Sequence, residues 1–174
     1  YKACRACAEE LIALGINYNF APCVDVNNNP DNPIINIRSF GEDPQLVAAF
    51  VRAFIEGAHS DPANRVLVTA KHFPGHGDTA VDSHIGLGVI EAARERIEQV
   101  ELVPFRAAIE AGVDAVMTAH LAVPALEPER IPATVSRQIL TDLLRTGLGF
   151  RGIITTDAMD MQGLTQMFPP GEAA

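Results

Sequence analysis

The chain has 174 residues and a mass of 18.7 kDa, which is enough for one domain with its own hydrophobic core. Apolar residues make up 48% of it and charged residues 20%, a balance typical of a globular protein. The net charge of −9 and the scattered cations exclude a broad basic face for nucleic acid. No apolar run approaches the roughly 20 residues that span a bilayer, and 3 cysteines are too few for a disulfide framework.

Helical and strand-like segments alternate along the chain. The helices carry apolar residues on one face, whereas the strands are short runs that are apolar throughout. Gly15 ends the first helix, Pro44 begins the second, and Pro104 must either kink the third or begin another helix. In chain order we predict helix 1–14, strand 17–24, a helix from 44, strand 65–70, a helical stretch over about 92–112, strand 114–119, a helix over 136–145 and strand 152–156.

Strands that alternate with helices form parallel βαβ units. Polar side chains follow the predicted strands: Asp25, Lys71 with His72, His120 and Asp157. The carboxyl ends of parallel strands meet at one edge, where ligands bind both in barrels and in open doubly wound sheets. A whole (β/α)8 barrel needs about 250 residues, and about four βα units account for this chain. We therefore predict an α/β fold of the TIM-barrel type that comprises half or more of a barrel.

The densest group of titratable side chains lies in the segment 71–84, KHFPGHGDTAVDSH. Gly75 and Gly77 allow it unusual backbone angles, and loops of this length are usually either functional or disordered. A solvated surface loop is the simplest interpretation of its turn-forming residues. Its position after a strand favours a function.

Two chemistries can use this loop, and the residues by themselves leave both open. Metal binding is one, because His72, His76, Asp82 and His84 are side chains that bind zinc or iron. General acid/base catalysis by Asp82 and His84 is the other, because their spacing puts both on one side of an extended segment. The carboxylate would then hold the tautomer of the imidazole and adjust its pKa.

The residues that end the other strands are also open to two interpretations. Asp157, in the segment TTDAMDM, is expected to project from the rim of the sheet, although aspartate after a strand is also a common helix N-cap. His120 either lines the pocket or makes a structural hydrogen bond. Asp25 either contacts a ligand or orients the backbone of a loop.

Four ordered blocks of sequence resemble glycoside hydrolase family 3, in its β-N-acetylglucosaminidase branch. The blocks are FAPCVDVN at 20–27, NIRSFGEDP at 36–44, KHFPGHGDTAVDSH at 71–84 and TTDAMDMQGL at 155–164. The Asp-x-His pair in the third block separates this branch from the β-glucosidases of the family. The resemblance implies a barrel enzyme that needs no cofactor. It would remove terminal β-N-acetylglucosamine from a carbohydrate substrate, either cell-wall muropeptides or chitin-type oligosaccharides.

The resemblance also implies roles for individual residues. Asp157 matches the nucleophile that forms a covalent glycosyl-enzyme, and His84 matches the general acid/base, partnered by Asp82. Residue chemistry agrees, because a retaining hydrolase needs an ionised nucleophile near a proton donor that later acts as a base. A non-catalytic carbohydrate-binding barrel is the alternative from another class, and it needs neither group. The residues matched to hydrogen bonds with sugar hydroxyls are Arg38, Lys71 and His72.

Two parts of the family pattern have no match in this sequence. The Asp-Gln-Glu-Gly-Gly block of an earlier strand is one of them, and the last strand after Asp157 is the other. We therefore expect residues 1–174 to be a partial catalytic barrel without its early strands and its last strand. Alone, such a chain is expected to be inactive and poorly stable, because open sheet edges are exposed.

Overall fold

A computed structural model describes residues 1–173 as alternating helices and strands, so Ala174 of the predicted domain lies outside the described residues. None of the described helices is long and apolar enough to cross a membrane. The helices are α1 (Lys2–Ala13), α2 (Pro44–Ala58), α3 (Arg94–Gln99), α4 (Leu102–Glu110), α5 (Gln162–Thr165) and α6 (Pro170–Ala173), with a π-type helix over Gln138–Gly147 and 3-10 turns over Asn36–Arg38, Pro62–Asn64 and Ala133–Val135. The strands are β1 (Tyr18–Asn19), β2 (Leu67–Phe73), β3 (Gly88–Val89), β4 (Ala115–Thr118), β5 (Leu121–Ala122) and β6 (Ile153–Thr156).

The main sheet is parallel and its strands follow one another in chain order. Its order is β1-β2-β4-β6. In its register Tyr18 faces Leu67, Thr69 faces Ala115, and Ala115 faces Ile153. A barrel wall has this sequential order, whereas an open doubly wound sheet reverses direction at a switch point. Strands β3 and β5 form a separate parallel pair at the carboxyl edge.

The hydrophobic core lies between the main sheet and helices α2 and α4. Val51 and Ile55 of α2 are fully buried in it. Phe73, the last residue of β2, meets Phe105 of α4 edge to face, with ring centroids 5.0 Å apart. Each large apolar side chain buried in this way stabilises the fold by roughly 1.5–3 kcal/mol. The core therefore fixes the end of β2, where the predicted functional residues lie.

Strand β1 is shorter than the predicted 17–24. Regular pairing covers Tyr18–Asn19, although backbone contact with β2 continues to Val24, whose N–H donates to the Lys71 carbonyl at 2.7 Å. Pro22 has no N–H and cannot donate to the ladder. The strand-like path therefore persists to the carboxyl edge without a regular strand.

Strand β2 is longer than predicted, and two residues that were expected to follow it lie inside it. It extends beyond 65–70 to Phe73, because Phe73 still pairs with Thr118 of β4. Lys71 and His72 therefore lie inside the strand and do not follow it. The register shifts between Lys71 and Phe73, which is a bulge of the kind that redirects a side chain at a functional edge.

The helices begin largely where the sequence places them. Pro44 is the first residue of α2. The stretch 92–112 consists of two helices, and Pro104 lies in the first turn of α4, so the second of the two alternatives is correct. Ser136 lies two residues before the π-type helix, whose N-cap residue is Arg137, and its hydroxyl accepts a hydrogen bond from the Ile139 N–H at 3.1 Å.

Candidate active site

Asp25 is a carboxylate buried at the carboxyl edge of the sheet, with 1% of its surface exposed. It accepts hydrogen bonds from the N–H groups of His72 at 3.1 Å and His76 at 2.7 Å, from Nδ1 of His72 at 2.7 Å and from the Cys23 thiol at 3.2 Å. Burial acts to raise the pKa of Asp25, but the electrostatic attraction and hydrogen bonds of His72 and His76 outweigh it. The pKa therefore lies well below its usual range, and Asp25 is an ionised anchor beneath the site.

The His72 ring lies between buried Asp25 and the more exposed residues Arg38 and Asp157. Because ionised Asp25 only accepts, Nδ1 of His72 carries a proton and donates it. Nε2 of the neutral ring is then an acceptor for the Arg38 guanidinium, which is 3.3 Å away. The same Nε2 lies 3.8 Å from Oδ2 of Asp157. His72 thus lies between the buried carboxylate of Asp25, which fixes its ring, and the partly exposed carboxylate of Asp157.

Lys71 adds a second cation to this group. Burial and the nearby Arg38 charge lower the pKa of Lys71, while the charge of Asp157 acts in the opposite direction. The three residues predicted to bind sugar hydroxyls are therefore brought together around Asp157. The N–H donors of Arg38 and Lys71, together with the acceptor Nε2 of His72, suit a ligand rich in hydroxyl groups.

Asp157 follows β6 directly, and its backbone N–H donates to the Thr118 carbonyl at 3.1 Å. Its Oδ1 accepts a hydrogen bond from the Ala158 N–H at 2.8 Å, and its side chain is 29% exposed. The next helix, α5, has Met161 as its N-cap residue. Asp157 is therefore not a helix cap, and within residues 1–173 its Oδ2 accepts no hydrogen bond.

Asp82 and His84 are in contact, as their spacing predicts. Oδ1 of Asp82 lies 2.7 Å from Nδ1 of His84 and also accepts the His84 N–H at 2.9 Å. The backbone is not extended there, because the N–H groups of Ile85 and Gly86 both donate to the Asp82 carbonyl, which forms a turn. Burial acts to raise the pKa of Asp82, but the hydrogen bonds and charge of His84 lower it by more. The net shift of the Asp82 pKa is therefore downward.

The loop that carries this pair is fastened at its base by His76. Nδ1 of His76 lies 2.8 Å from the Thr79 hydroxyl, and Nε2 lies 3.1 Å from the Ser83 hydroxyl. The ring is 2% exposed, and burial lowers the pKa of His76. His76 is therefore a structural residue inside the loop.

The far end of the loop is fastened to α5, the helix that follows Asp157 in the chain. The Gly163 N–H donates to the Ser83 carbonyl at 2.9 Å, and the Gln162 N–H donates to the His84 carbonyl at 3.4 Å. One short helix therefore connects the Asp82–His84 pair with the strand end that carries Asp157.

Comparison with known proteins identifies the family. The sequence model described as "Glycosyl hydrolase family 3 N terminal domain" matches residues 1–174. The chain belongs to glycoside hydrolase family 3. Beta-hexosaminidase A of Pseudoalteromonas piscicida is 46% identical over 183 residues, which cover 99% of this chain and 30% of the relative. The resemblance predicted from the four sequence blocks is confirmed.

Solved structures of family 3 proteins confirm the barrel-type α/β fold. The structure of a glycoside hydrolase family 3 β-N-acetylglucosaminidase from Paenibacillus sp. str. FPU-7 has a TM-score of 0.93 and 48% identity, over 99% of this chain and 32% of that one. Zinc-bound CbsA from Thermotoga neapolitana has a TM-score of 0.88 and 36% identity, over 99% of this chain and 37% of that one. The chain thus spans about a third of the length of these family 3 proteins.

The four-residue metal cluster considered from the sequence is not assembled in this family 3 chain. Both ring nitrogens of His76 face hydroxyl groups, and the 60% exposed His84 pairs with Asp82. Among the described residues, the group close enough to share an ion is Cys23, Asp25 and His72, whose ligand atoms lie within 4.8 Å of one another.

The side chains of that second group, Cys23, Asp25 and His72, already form hydrogen bonds with one another. Asp25 accepts hydrogen bonds from both the Cys23 thiol and His72. Burial and the charge of Asp25 raise the pKa of Cys23 well above its usual range, so this residue is the protonated thiol that donates to Asp25 and not the thiolate that binds metals. The three side chains fit a hydrogen-bonded network better than a metal site.

Sequence reasoning left two roles each for Asp25 and His120. Orientation of loop backbone is the correct role for Asp25, which accepts the His72 and His76 N–H groups, whereas its bond to the His72 ring was missed. Asp25 reaches residues far along the chain, and the sequence signal for it was only its place after a predicted strand. His120 proves to be fully buried, with Nε2 2.9 Å from the Ala158 carbonyl and Nδ1 2.8 Å from the Thr134 hydroxyl. The structural hydrogen bond is therefore the correct interpretation of His120.

Proposed function

We propose that this chain carries the reacting groups of a retaining β-N-acetylglucosaminidase. The observation that supports this function is the geometry of Asp157. One oxygen is held by the Ala158 N–H, the other lies 3.8 Å from His72, and the acid/base pair is fastened to the helix that follows. The names of the relatives, β-hexosaminidase and β-N-acetylglucosaminidase, support terminal β-N-acetylglucosamine as the sugar.

In the first step, Oδ2 of Asp157 attacks the anomeric carbon and forms a glycosyl ester. At the same time the protonated His84 donates its Nε2 proton to the glycosidic oxygen, so the bond to the leaving group breaks and that group departs as an alcohol. Asp82 accepts the hydrogen bond of Nδ1 throughout, which fixes the tautomer and stabilises the charged imidazole.

In the second step the neutral His84 acts as a base. Its Nε2 takes a proton from a water molecule, whose oxygen attacks the anomeric carbon and displaces Asp157. The sugar leaves with its original configuration, because two inversions have occurred at the same carbon. Arg38, Lys71 and His72 hold the sugar hydroxyls while Asp25 keeps His72 in one tautomer.

We further propose that residues 1–174 are part of a catalytic barrel, with cell-wall muropeptides or chitin-type oligosaccharides as substrates. The test therefore uses the complete protein that contains these residues. Release of p-nitrophenol is measured from its β-GlcNAc and β-glucose glycosides, with and without EDTA, for the wild type, Asp157→Asn and the nearby control Asp160→Asn.

The expected result is turnover of the GlcNAc compound that survives EDTA and falls at least about 10³-fold in Asp157→Asn. Asp160→Asn is expected to retain most of the activity. Loss of wild-type turnover in EDTA would instead support a metal-dependent hydrolase. Sugar binding without turnover in the wild type would leave a carbohydrate-binding barrel.

A further inference from the structure

His120 lies between the strand that precedes the site and the turn that holds the nucleophile. It follows β4, and no part of it is exposed. Nε2 lies 2.9 Å from the carbonyl oxygen of Ala158, which also accepts the Met161 N–H at 3.2 Å. The ring therefore fastens the turn after β6 to the end of β4.

The protonation of this ring follows from its partners. A carbonyl oxygen only accepts, so Nε2 of His120 must carry a proton. The neutral ring then needs a donor at Nδ1, which is the Thr134 hydroxyl at 2.8 Å. The same hydroxyl also lies 3.1 Å from the Ala119 carbonyl, and in the neutral ring its proton goes to Nδ1, which has no other donor among the described residues. Its oxygen accepts the Thr118 hydroxyl proton at 3.0 Å, so a chain of hydrogen bonds ends at Ala158.

Ala158 is the residue that holds the nucleophile. Its N–H donates to Oδ1 of Asp157 at 2.8 Å, while its carbonyl is the group held by His120. Orientation of Ala158 therefore fixes which oxygen of Asp157 is hydrogen-bonded and which is free. The hydrogen bond also favours the ionised carboxylate.

The backbone of His120 is packed just as closely. A Cβ atom placed on Gly163 would lie 2.9 Å from the His120 carbonyl and 2.9 Å from the Ser83 carbonyl. Ser83 belongs to the loop of the acid/base pair. His120 thus sits where the nucleophile turn, α5 and that loop meet.

We propose that His120 is a positioning residue for the nucleophile. As a neutral Nε2–H imidazole it orients Ala158, so that the Ala158 N–H stays on Oδ1 of Asp157 and Oδ2 faces the substrate. This inference rests on the proposed role of Asp157. The charged or titratable groups that also interact with Asp157 are His72, Lys71 and His76, with Arg38 beside His72, and the variants below leave them unchanged.

The test compares His120→Leu, which removes the donor, with His120→Gln, whose amide N–H can reach the same carbonyl. His59→Leu is the control, because His59 is a part-buried histidine that bonds to Asp114 through Nε2 at 2.8 Å. For each variant of the complete protein, kcat/KM for p-nitrophenyl β-GlcNAc is measured from pH 4 to 9, together with the melting temperature.

His120→Leu is expected to lower kcat/KM by about 10- to 100-fold. It should also shift the acidic limb of the pH profile, the rise of kcat/KM at low pH, to higher pH by about half a unit. His120→Gln should restore the limb and most of the rate. His59→Leu should lower the melting temperature without moving the limb. The inference is overturned if His120→Leu keeps the wild-type acidic limb, or if its loss of activity only follows its loss of folded protein.

Two further measurements keep this inference separate from the proposed function. ¹⁵N NMR of the histidine rings should show His120 as the neutral Nε2–H tautomer in the wild type, and any other tautomer contradicts the inference. ¹³C NMR of the Asp157 carboxyl should show a higher pKa in His120→Leu than in the wild type. If the wild type hydrolyses no glycoside, the proposed function fails, and these two signals still decide whether His120 orients the Asp157 turn.

Discussion

Asp25 and His72 share a 2.7 Å hydrogen bond beneath the site, and Asp25 also accepts the His72 and His76 N–H groups. One buried carboxylate thus orients a ring that faces Asp157 and fastens the loop that carries His84. We expect its removal to affect both the stability of the fold and the binding of the sugar.

Asp25→Asn is expected to destabilise the fold by roughly 3–5 kcal/mol at pH 7, because it replaces the buried carboxylate that accepts three N–H groups, and hydrogen bonds to a charged group contribute about 1.5–3 kcal/mol each. Urea denaturation of the complete protein measures this change. Asp31→Asn is the control, because Asp31 is exposed, and it should change the unfolding free energy by less than about 0.5 kcal/mol. A loss of that same small size in Asp25→Asn would contradict the role of Asp25 as an anchor.

The destabilisation by Asp25→Asn should depend on pH. The folded-state pKa of Asp25 is lowered, so its stabilisation is complete above the unfolded pKa of about 3.9 and is lost as pH falls toward the folded value. The difference in unfolding free energy between wild type and variant should therefore shrink below about pH 4. A difference that stays constant from pH 7 to pH 2 would show that the Asp25 charge is not the cause.

Gly163→Ala should displace the loop that carries Asp82 and His84. Its Cβ would lie 2.9 Å from the carbonyl oxygens of both His120 and Ser83, closer than packed atoms allow, so the loop must move. We expect kcat/KM to fall by about 10- to 100-fold. Gly171→Ala is the matched control, because nothing lies within 4 Å of its added Cβ. Equal activity in the two variants would mean that the loop does not depend on this contact.

His84→Ala should slow substrates according to their leaving groups. A phenol with an electron-withdrawing group departs without much protonation, whereas a sugar alcohol needs the proton of the general acid. We therefore expect hydrolysis of a GlcNAc disaccharide to fall at least about 10-fold more than hydrolysis of p-nitrophenyl β-GlcNAc. Ile85→Ala changes the exposed neighbour and serves as control. Equal losses for both substrates would exclude His84 as the acid.

The 174-residue chain alone is expected to be inactive and to unfold without a cooperative transition. Within the described residues, the outer strands β1 and β6 of the main sheet each pair with one neighbour. Phe20 beside β1 and Ile153 of β6 are 51% and 49% exposed, so apolar surface and sheet edges face water. Calorimetry of residues 1–174, with the glycosidase assay, tests this. A sharp thermal transition together with turnover would contradict it.

Much of the fold follows from local patterns in the sequence. Apolar spacing, Pro44 and Pro104 place the helices, because the first turn of a helix depends on neighbouring residues. Reactive residues after apolar runs are enough to predict that they meet at one edge, since the carboxyl ends of parallel strands do so in any such sheet. The Asp82–His84 contact is equally local.

Only the tertiary structure decided which partner each of these residues has. Asp25 meets His72 and His76 because β1 lies beside β2, and no periodicity near residue 25 carries that information. The same long-range pairing extends β2 through His72, turns His76 toward Thr79 and Ser83 and away from a metal cluster, and joins His120 to Ala158. The sequence by itself determined which chemical groups lie at the edge of the sheet. Strand pairing decided their partners, because each hydrogen bond is set by packing between distant segments.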